Sequence, residues 1–316
     1  MRSGTLTRKH AELLLAAVIV ARSTSFVLTK IGLQDMGRFT LLGLRFLFAF
    51  VFLALVFPKC LLHMDRRTFL GGLALGVIYF GLMTAEVSAL QTVASATVSF
   101  LENTAIALVP LFEAALLRRL PARKAMCSAL VSLAGVGLLT LGGGFAVSAG
   151  EVCCLAVAVV YAAAILFTDR LTHAGVDPLA AGIIQVGFIG LFSMTAAFVF
   201  EVPHLPSSGG EWAVVLALAL VCSGFGFALQ PLAQSGTTAE RAGMFCALSP
   251  LCAAVLGAAV FQEHFGLQSL FGAALIVGGI VISRLQGPVP ACFFHPHIPH
   301  TLSSKGRGGL PPAPEP

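Results

Sequence analysis

The sequence predicts an all-α integral membrane protein with ten transmembrane helices, arranged as two inverted five-helix repeats. Three observations carry that prediction. First, residues of the AVILMFWYC set make up 57% of the 316 residues and charged residues only 10%, with a mean hydropathy of +0.94. A soluble domain carries about 25% charged residues to solvate its surface, so bilayer hydrocarbon is the solvent that fits. Second, lysine and arginine gather on one side of the apolar segments. Third, the second half of the chain echoes the first.

A spanning helix needs about 20 mainly apolar residues. In chain order, ten segments meet or approach that length. The first five are Leu13–Leu33, Thr40–Phe57, Phe69–Leu90, Val93–Leu117 and Ala125–Leu141. The second five are Val152–Phe167, Leu179–Phe200, Trp212–Leu232, Ala239–Phe261 and Leu267–Leu285. The basic stretch 1–10 leads into the first apolar run without a small-residue cleavage site before Arg22, which predicts a retained helix instead of a signal peptide. Most connectors are short, so neighbouring helices are expected to run antiparallel in one bundle.

Orientation follows from the basic residues. With the N-terminus inside, 15 of the 19 lie on the cytoplasmic side, among them Lys59, Arg66, Arg67, Arg118, Arg119, Arg123, Lys124, Arg170 and Arg241. Only Lys30 and Arg38 fall outside, with Arg22 and Arg45 inside spans. Both termini are therefore expected in the cytoplasm, in an inner or plasma membrane. The net charge of +5 is explained by topology, without a nucleic-acid partner. The eight cysteines show no CxxC or Cys/His metal spacing, so no metal or cofactor is expected. Residues 286–316 are Pro-rich and read as a disordered cytoplasmic tail. Prolines between His295, His297 and His300 frustrate a fixed metal geometry there.

A shift of 139 residues lays Glu12 on Glu151 and Thr29 on Thr168, and a shift of 143 lays Gln91 on Gln234 and Gly135 on Gly278. Residues 11–145 and 146–285 then form two copies of five spans each. Five is odd, so the second copy enters the membrane with the opposite orientation. Inverted repeats rocking about a midplane site can expose it alternately to either side.

These residues also carry a family likeness. The stretches Ala89–Ala96 and Leu133–Leu139 resemble the first repeat of the EamA family of the drug/metabolite transporter superfamily, as do Ser23–Leu33 and Leu44-Arg45-Phe46. Gly150-Glu151, Thr168–Leu171, Asp177-Pro178, Pro250, Leu256–Glu263 and Leu270–Gly279 resemble the second. The likeness spans roughly residues 11 to 285. Ala21-Arg22 stands where members usually carry Trp-Gly, and Arg118-Arg119-Leu120 replaces the Gly-Glu motif that closes helix 4. The resemblance implies export of a small metabolite or amino acid through a central cavity between the two halves.

An ionisable group at bilayer depth is costly unless paired or wetted, so each is a functional candidate. Arg22 and Glu102 fall near the middle of helices 1 and 4, and Arg45 and Glu86 nearer the outer side of helices 2 and 3. The 139-residue counterpart of Arg22 is Tyr161. Tyr79, Met83 and Glu86 share one helical face, as do Arg22, Phe26 and Lys30. Glu113, eleven residues beyond Glu102, is expected on the same face as Glu102, and Ser95, Ser99 and Asn103 extend the polar side. Glu102 is the first candidate for a proton-coupling or substrate-ammonium group, and Arg22 for a substrate carboxylate. A static Arg22–Glu102 pair that only fixes packing is the competing reading. Glu113 is expected to snorkel toward Arg118 and Arg119. Gln185, Gln230 and Gln234 offer hydrogen bonds to substrate or between helices. Pro110 and Pro250 are expected to kink helices 4 and 9. Gly72 and Gly76, like Gly278 and Gly279, read as sites of close helix packing.

The function these features favour is secondary transport of a small molecule by a monomer or homodimer. A lipid-modifying membrane enzyme is the rival from another class. It needs clustered Asp, His or Glu for metal or acid–base work, and the chain has no HExxH, Walker or G-x-S-x-G sequence. A membrane scaffold needs no motif at all.

Overall fold

The computed structural model describes residues 8–116, 123–140, 148–235, 248–262 and 266–284. The two ends of the chain, 1–7 and 285–316, fall outside them, and with them His295, His297 and His300. So do Arg118, Arg119, Arg241 and Glu263, and the side chains of Pro110, Glu113, Gln234 and Pro250. The described residues contain helices and no strand. The first half comprises α1 (Arg8–Gly32), α2 (Arg38–Val56), α3 (Pro58–Leu62), α4 (Arg66–Leu90), α5 (Ser95–Asn103), α6 (Ala105–Leu116) and α7 (Arg123–Thr140). The second comprises α8 (Ala149–His173), α9 (Pro178–Phe200), α10 (Gly209–Ala217), a π-helical segment Leu218–Phe227, α11 (Ala228–Ser235), α12 (Leu248–Phe261) and α13 (Leu267–Arg284).

Among the described residues, six stretches are long and apolar enough to cross a membrane: His10–Gly32, Arg38–Val56, Arg66–Leu90, Ala149–Thr168, Pro178–Phe200 and Gly209–Gln230. Their outward faces are apolar, with Leu13, Leu55, Phe198 and Phe200 all exposed. A water-facing surface does not tolerate so wide an apolar face. The chain is an all-helical integral membrane protein.

Several helix starts are written in the sequence. Asp65 caps α4 by accepting from the Thr68 N–H at 3.1 Å. Asp177 caps α9 by accepting from Leu179 and Ala180, with Pro178 at the first helical position. Ser148 and Glu151 form a reciprocal capping box at α8. At α10 Ser208 Oγ accepts from the Glu211 N–H, and the Glu211 carboxylate accepts from the Ser208 hydroxyl and the Ser207 N–H. Glu151 and Asp177, two of the motif residues of the second repeat, thus serve as helix caps. The start of α2 lacks a side-chain cap of its own. Glu201, where α9 ends, supplies it by accepting from the backbone N–H groups of Phe39 and Thr40, each at 3.0 Å. Gly37 makes room, because a Cβ there would lie 2.3 Å from Glu201 Oε2.

The packing of helices repeats when the halves are exchanged. Counterpart packs on counterpart three times: α2 on α9, α5 on α12, and α7 on α13. The remaining large contacts come in mated pairs. Thus α4 on α9 matches α2 on the π segment, α4 on α8 matches α1 on the π segment, and α1 on α12 matches α6 on α8. Gly72 and Gly76 set the α4–α9 approach, with Ile184 and Phe188 against them.

Two expected spans differ in detail. Val93–Leu117 was expected as one helix, but it is broken at Thr104 into α5 and α6. There the Thr104 N–H turns to the Leu101 carbonyl, and its hydroxyl donates to the same oxygen, while Asn103 Nδ2 donates to the Ser99 carbonyl. Such local bonds compete with the α-helical ladder. The break falls six residues before Pro110, and Thr104 itself keeps right-handed helical angles, φ −59° and ψ −22°. The expected helix Trp212–Leu232 contains ten residues of π-helix, Leu218–Phe227.

Candidate substrate cavity

A small cavity lies at the junction of the two halves. It is lined by Ile19, Arg22, Ser25 and Phe26 of α1, Glu86 of α4, and Glu102 and Asn103 of α5. The second half contributes Tyr161, Phe227, Gln230 and Ser249. Most of its lining residues are polar, with Phe26, Tyr161 and Phe227 as the aromatic rings among them.

Arg22 is the hub. Its Nη1 donates to the Tyr161 hydroxyl at 3.1 Å and to Gln230 Oε1. Nη2 stands 3.9 Å from Glu102 Oε1, and the guanidinium carbon lies 4.3 Å from the Phe227 ring centre. The positive charge is thus solvated by a hydroxyl, an amide oxygen, a carboxylate and a π-face, in place of water. Tyr79 backs this arrangement, with its ring edge-on to Tyr161 and Phe227 at 6.4 and 6.1 Å.

The π-helical segment makes the close approach possible. Gly226 lies against the Arg22 stem, where a Cβ would meet Cγ at 2.7 Å. Phe227 and Gln230 follow on the same side. π-Helical insertions recur at functional sites because they re-aim side chains that an α-helical register would turn away.

Arg45 is separately accounted for. It is fully buried, and it donates to Ser223 through Nε, to Thr29 through Nη1 and to Ser25 through Nη2, at 3.0 to 3.1 Å. Ser25 therefore joins the Arg45 cluster to the cavity.

The expected residues divide clearly. Arg22, Glu86, Glu102, Asn103, Tyr161 and Gln230 come together around one space, and Tyr79 stands directly behind it. Gln185 is buried and does not line this space; its backbone carbonyl lies 3.4 Å from where a Cβ on Gly76 would stand, at the α4–α9 contact. Phe227, Ser25, Ser223 and Ser249 escaped the sequence reading. The run Gly224-Phe-Gly-Phe227 is a signal for Phe227 and the adjacent Ser223, because two glycines in an apolar helix call for a packing reason; Ser25 and Ser249 carry no such mark. Among the described residues no group of His, Cys, Asp and Glu could hold a metal ion.

Buried charge between the two repeats of a multi-pass helical membrane protein is the arrangement expected of a membrane transporter. The chain matches the EamA-like transporter family twice, over residues 10–141 and 148–285, and it belongs to that family of the drug/metabolite transporter superfamily. It is 24% identical over 310 residues to the uncharacterized transporter YetK of Bacillus subtilis (strain 168), covering 92% of each chain. A solved structure titled only "Crystal structure of protein" shares its fold at 22% identity, with a TM-score of 0.65 over 88% of this chain and 98% of the other.

Proposed function

We propose that the protein is a ten-span secondary transporter, its two repeats inverted and both termini cytoplasmic. On this reading it exports a small metabolite, amino acid or drug-like compound by alternating access. One observation carries the proposal. The partners of Arg22 come from both repeats, Glu102 from the first and Tyr161, Phe227 and Gln230 from the second. Rocking one repeat against the other changes this cluster, so the cavity state and the direction it faces are coupled. The mated helix pairs support the same reading, since exchanging the halves restores the same contacts. Glu102 is the group proposed to exchange a proton during the cycle.

The test is flux in liposomes that contain the purified protein and are loaded with a defined mixture of amino acids, amines and organic acids. Mass spectrometry of the released compounds identifies the cargo. Wild-type protein depletes at least one compound, and Glu102→Gln, shown to be folded by its thermal transition, depletes none. Full transport by the folded variant removes the coupling role from Glu102. Depletion of nothing by the wild type counts against transport itself.

A further inference from the structure

We propose that the cavity holds a subsite for an N–H-bearing ammonium group, formed by Glu102 Oε2, Glu86 and the Asn103 side-chain oxygen, with Arg22 as the site's own counter-charge and not a ligand for a substrate carboxylate. This rests on the transport reading above and names the chemical class of its substrate.

The charge and the hydrogen bonding of the lining groups decide the matter. Arg22 Nη1 serves two acceptors and Phe227 covers the face of the guanidinium, while Nη2 stands 3.9 Å from Glu102 Oε1 as an ion pair without a hydrogen bond. A carboxylate reaching for Arg22 must sit in a cavity lined by two carboxylates, Glu86 and Glu102, where like charges repel strongly for want of water. Two acceptor oxygens are also left over. Glu102 is only 2% exposed, yet its Oε2 has no hydrogen-bond partner among the described residues. Asn103 commits its Nδ2 to the Ser99 carbonyl at 2.8 Å, which leaves its oxygen as an acceptor.

A buried carboxylate oxygen without a donor is an expensive feature to maintain. An ammonium supplies what the site lacks, namely several N–H donors and a positive charge beside two carboxylates. The aromatic rings of Tyr161 and Phe227 lining the same space favour a cation further. An anion or a neutral acyl group leaves Glu102 Oε2 as it stands.

The test uses three compounds that share one carbon skeleton: isobutylammonium, valine and isovalerate. They carry the ammonium alone, both groups, and the carboxylate alone. Binding to the purified full-length protein in detergent is measured by calorimetry. Isobutylammonium is expected to bind roughly tenfold or more tightly than isovalerate, the scale of a charge-assisted hydrogen bond, and at least as tightly as valine. Glu102→Gln is expected to abolish that preference, and Glu86→Gln to weaken it. The wild-type ranking decides on its own if a variant fails to fold.

Tighter binding of isovalerate than of isobutylammonium overturns the subsite. So does valine binding tenfold more tightly than isobutylammonium, which gives the carboxylate a ligand. Unchanged isobutylammonium affinity in folded Glu102→Gln, or no binding of any of the three, overturns it as well. Isobutylammonium bound with the expected ranking but no flux in liposomes upholds the subsite and retires transport. Flux of organic acids without ammonium binding does the reverse.

Discussion

Arg22 Nη1 donates to the Tyr161 hydroxyl at 3.1 Å, and the two residues stand 139 positions apart, the same offset that relates the first helices of the two repeats. Two equivalent positions touch only where exchange of the halves brings an element back onto itself. The Arg22–Tyr161 contact therefore lies at the relation between the repeats, and the cavity forms around it. The two copies have diverged at this point into a donor and an acceptor, which lets equivalent positions bond without clash of charge.

Replacing Tyr161 with Phe removes the hydroxyl but keeps the ring. Arg22 then retains Gln230, Glu102 and the Phe227 face. The loss of one hydrogen bond to a charged group is expected to destabilise the protein by about 1.5 to 3 kcal/mol. A lowered thermal transition in detergent is the expected result, with reduced flux in liposomes. An unchanged transition would show that the hydroxyl contributes nothing to holding Arg22.

Gly226→Ala drives a methyl into the Arg22 stem, 2.7 Å from Cγ. Overpacking of this kind costs about 1 to 3 kcal/mol, and here it also pushes the guanidinium off Phe227. Gly81→Ala is the control, because a Cβ at that helical position meets nothing within 4 Å. It is expected to be neutral or stabilising by about 0.4 to 1 kcal/mol. Thermal unfolding of the two variants side by side separates local clash from a general intolerance of alanine.

Gly37→Ala displaces the Glu201 carboxylate, whose Oε2 would stand 2.3 Å from the new Cβ. The start of α2 then loses its only side-chain cap among the described residues. Losing a cap costs about 0.5 to 2 kcal/mol. Glu201→Ala is expected to lower stability by a similar amount, and the double variant by no more than the larger single effect, because both remove one interaction. Additive losses in unfolding measurements would separate Gly37 from Glu201.

The capping carboxylate of α4 predicts a pH dependence. Hydrogen bonds from Thr68, first its side chain and then its backbone N–H, hold the Asp65 carboxyl below the usual aspartate range. A carboxyl depressed in the folded state contributes stability that is present above its unfolded pKa and lost as pH falls through its folded value. The loss is therefore expected below about pH 4. Asp65→Asn, which retains a capping oxygen, is expected to flatten this acid limb of the stability curve. A limb of unchanged slope in that variant would assign it to other groups.

Much of this was legible in the sequence. Helices α1, α2, α4, α8 and α9 announce themselves by apolar length, and Asp65, Asp177-Pro178 and Ser148–Glu151 mark where three of them begin. Burial cost alone singled out Arg22, Glu86 and Glu102, since hydrocarbon leaves few reasons to keep a charge. The break at Thr104 was hidden because Thr and Asn fit a helix by composition and act through local bonds to the Leu101 and Ser99 carbonyls. The π-helical segment was hidden too, since its i→i+5 bonding leaves no mark on hydropathy. That segment set the position of Phe227, which no count of charges could find. Gln185 stands away from this cavity, and an amide in a span suits an interface between helices as readily as a cavity.

The most direct test of the account is whether the cavity opens to each face of the membrane. Ser249 lines the cavity and lies 3.5 Å from Ser99 across the halves. Ser249→Cys in oriented vesicles is treated with a membrane-impermeant thiosulfonate from one face or the other, and modification at residue 249 is read by mass spectrometry. Alternating access predicts modification from both faces. Modification from one face only, whichever it is, would contradict it.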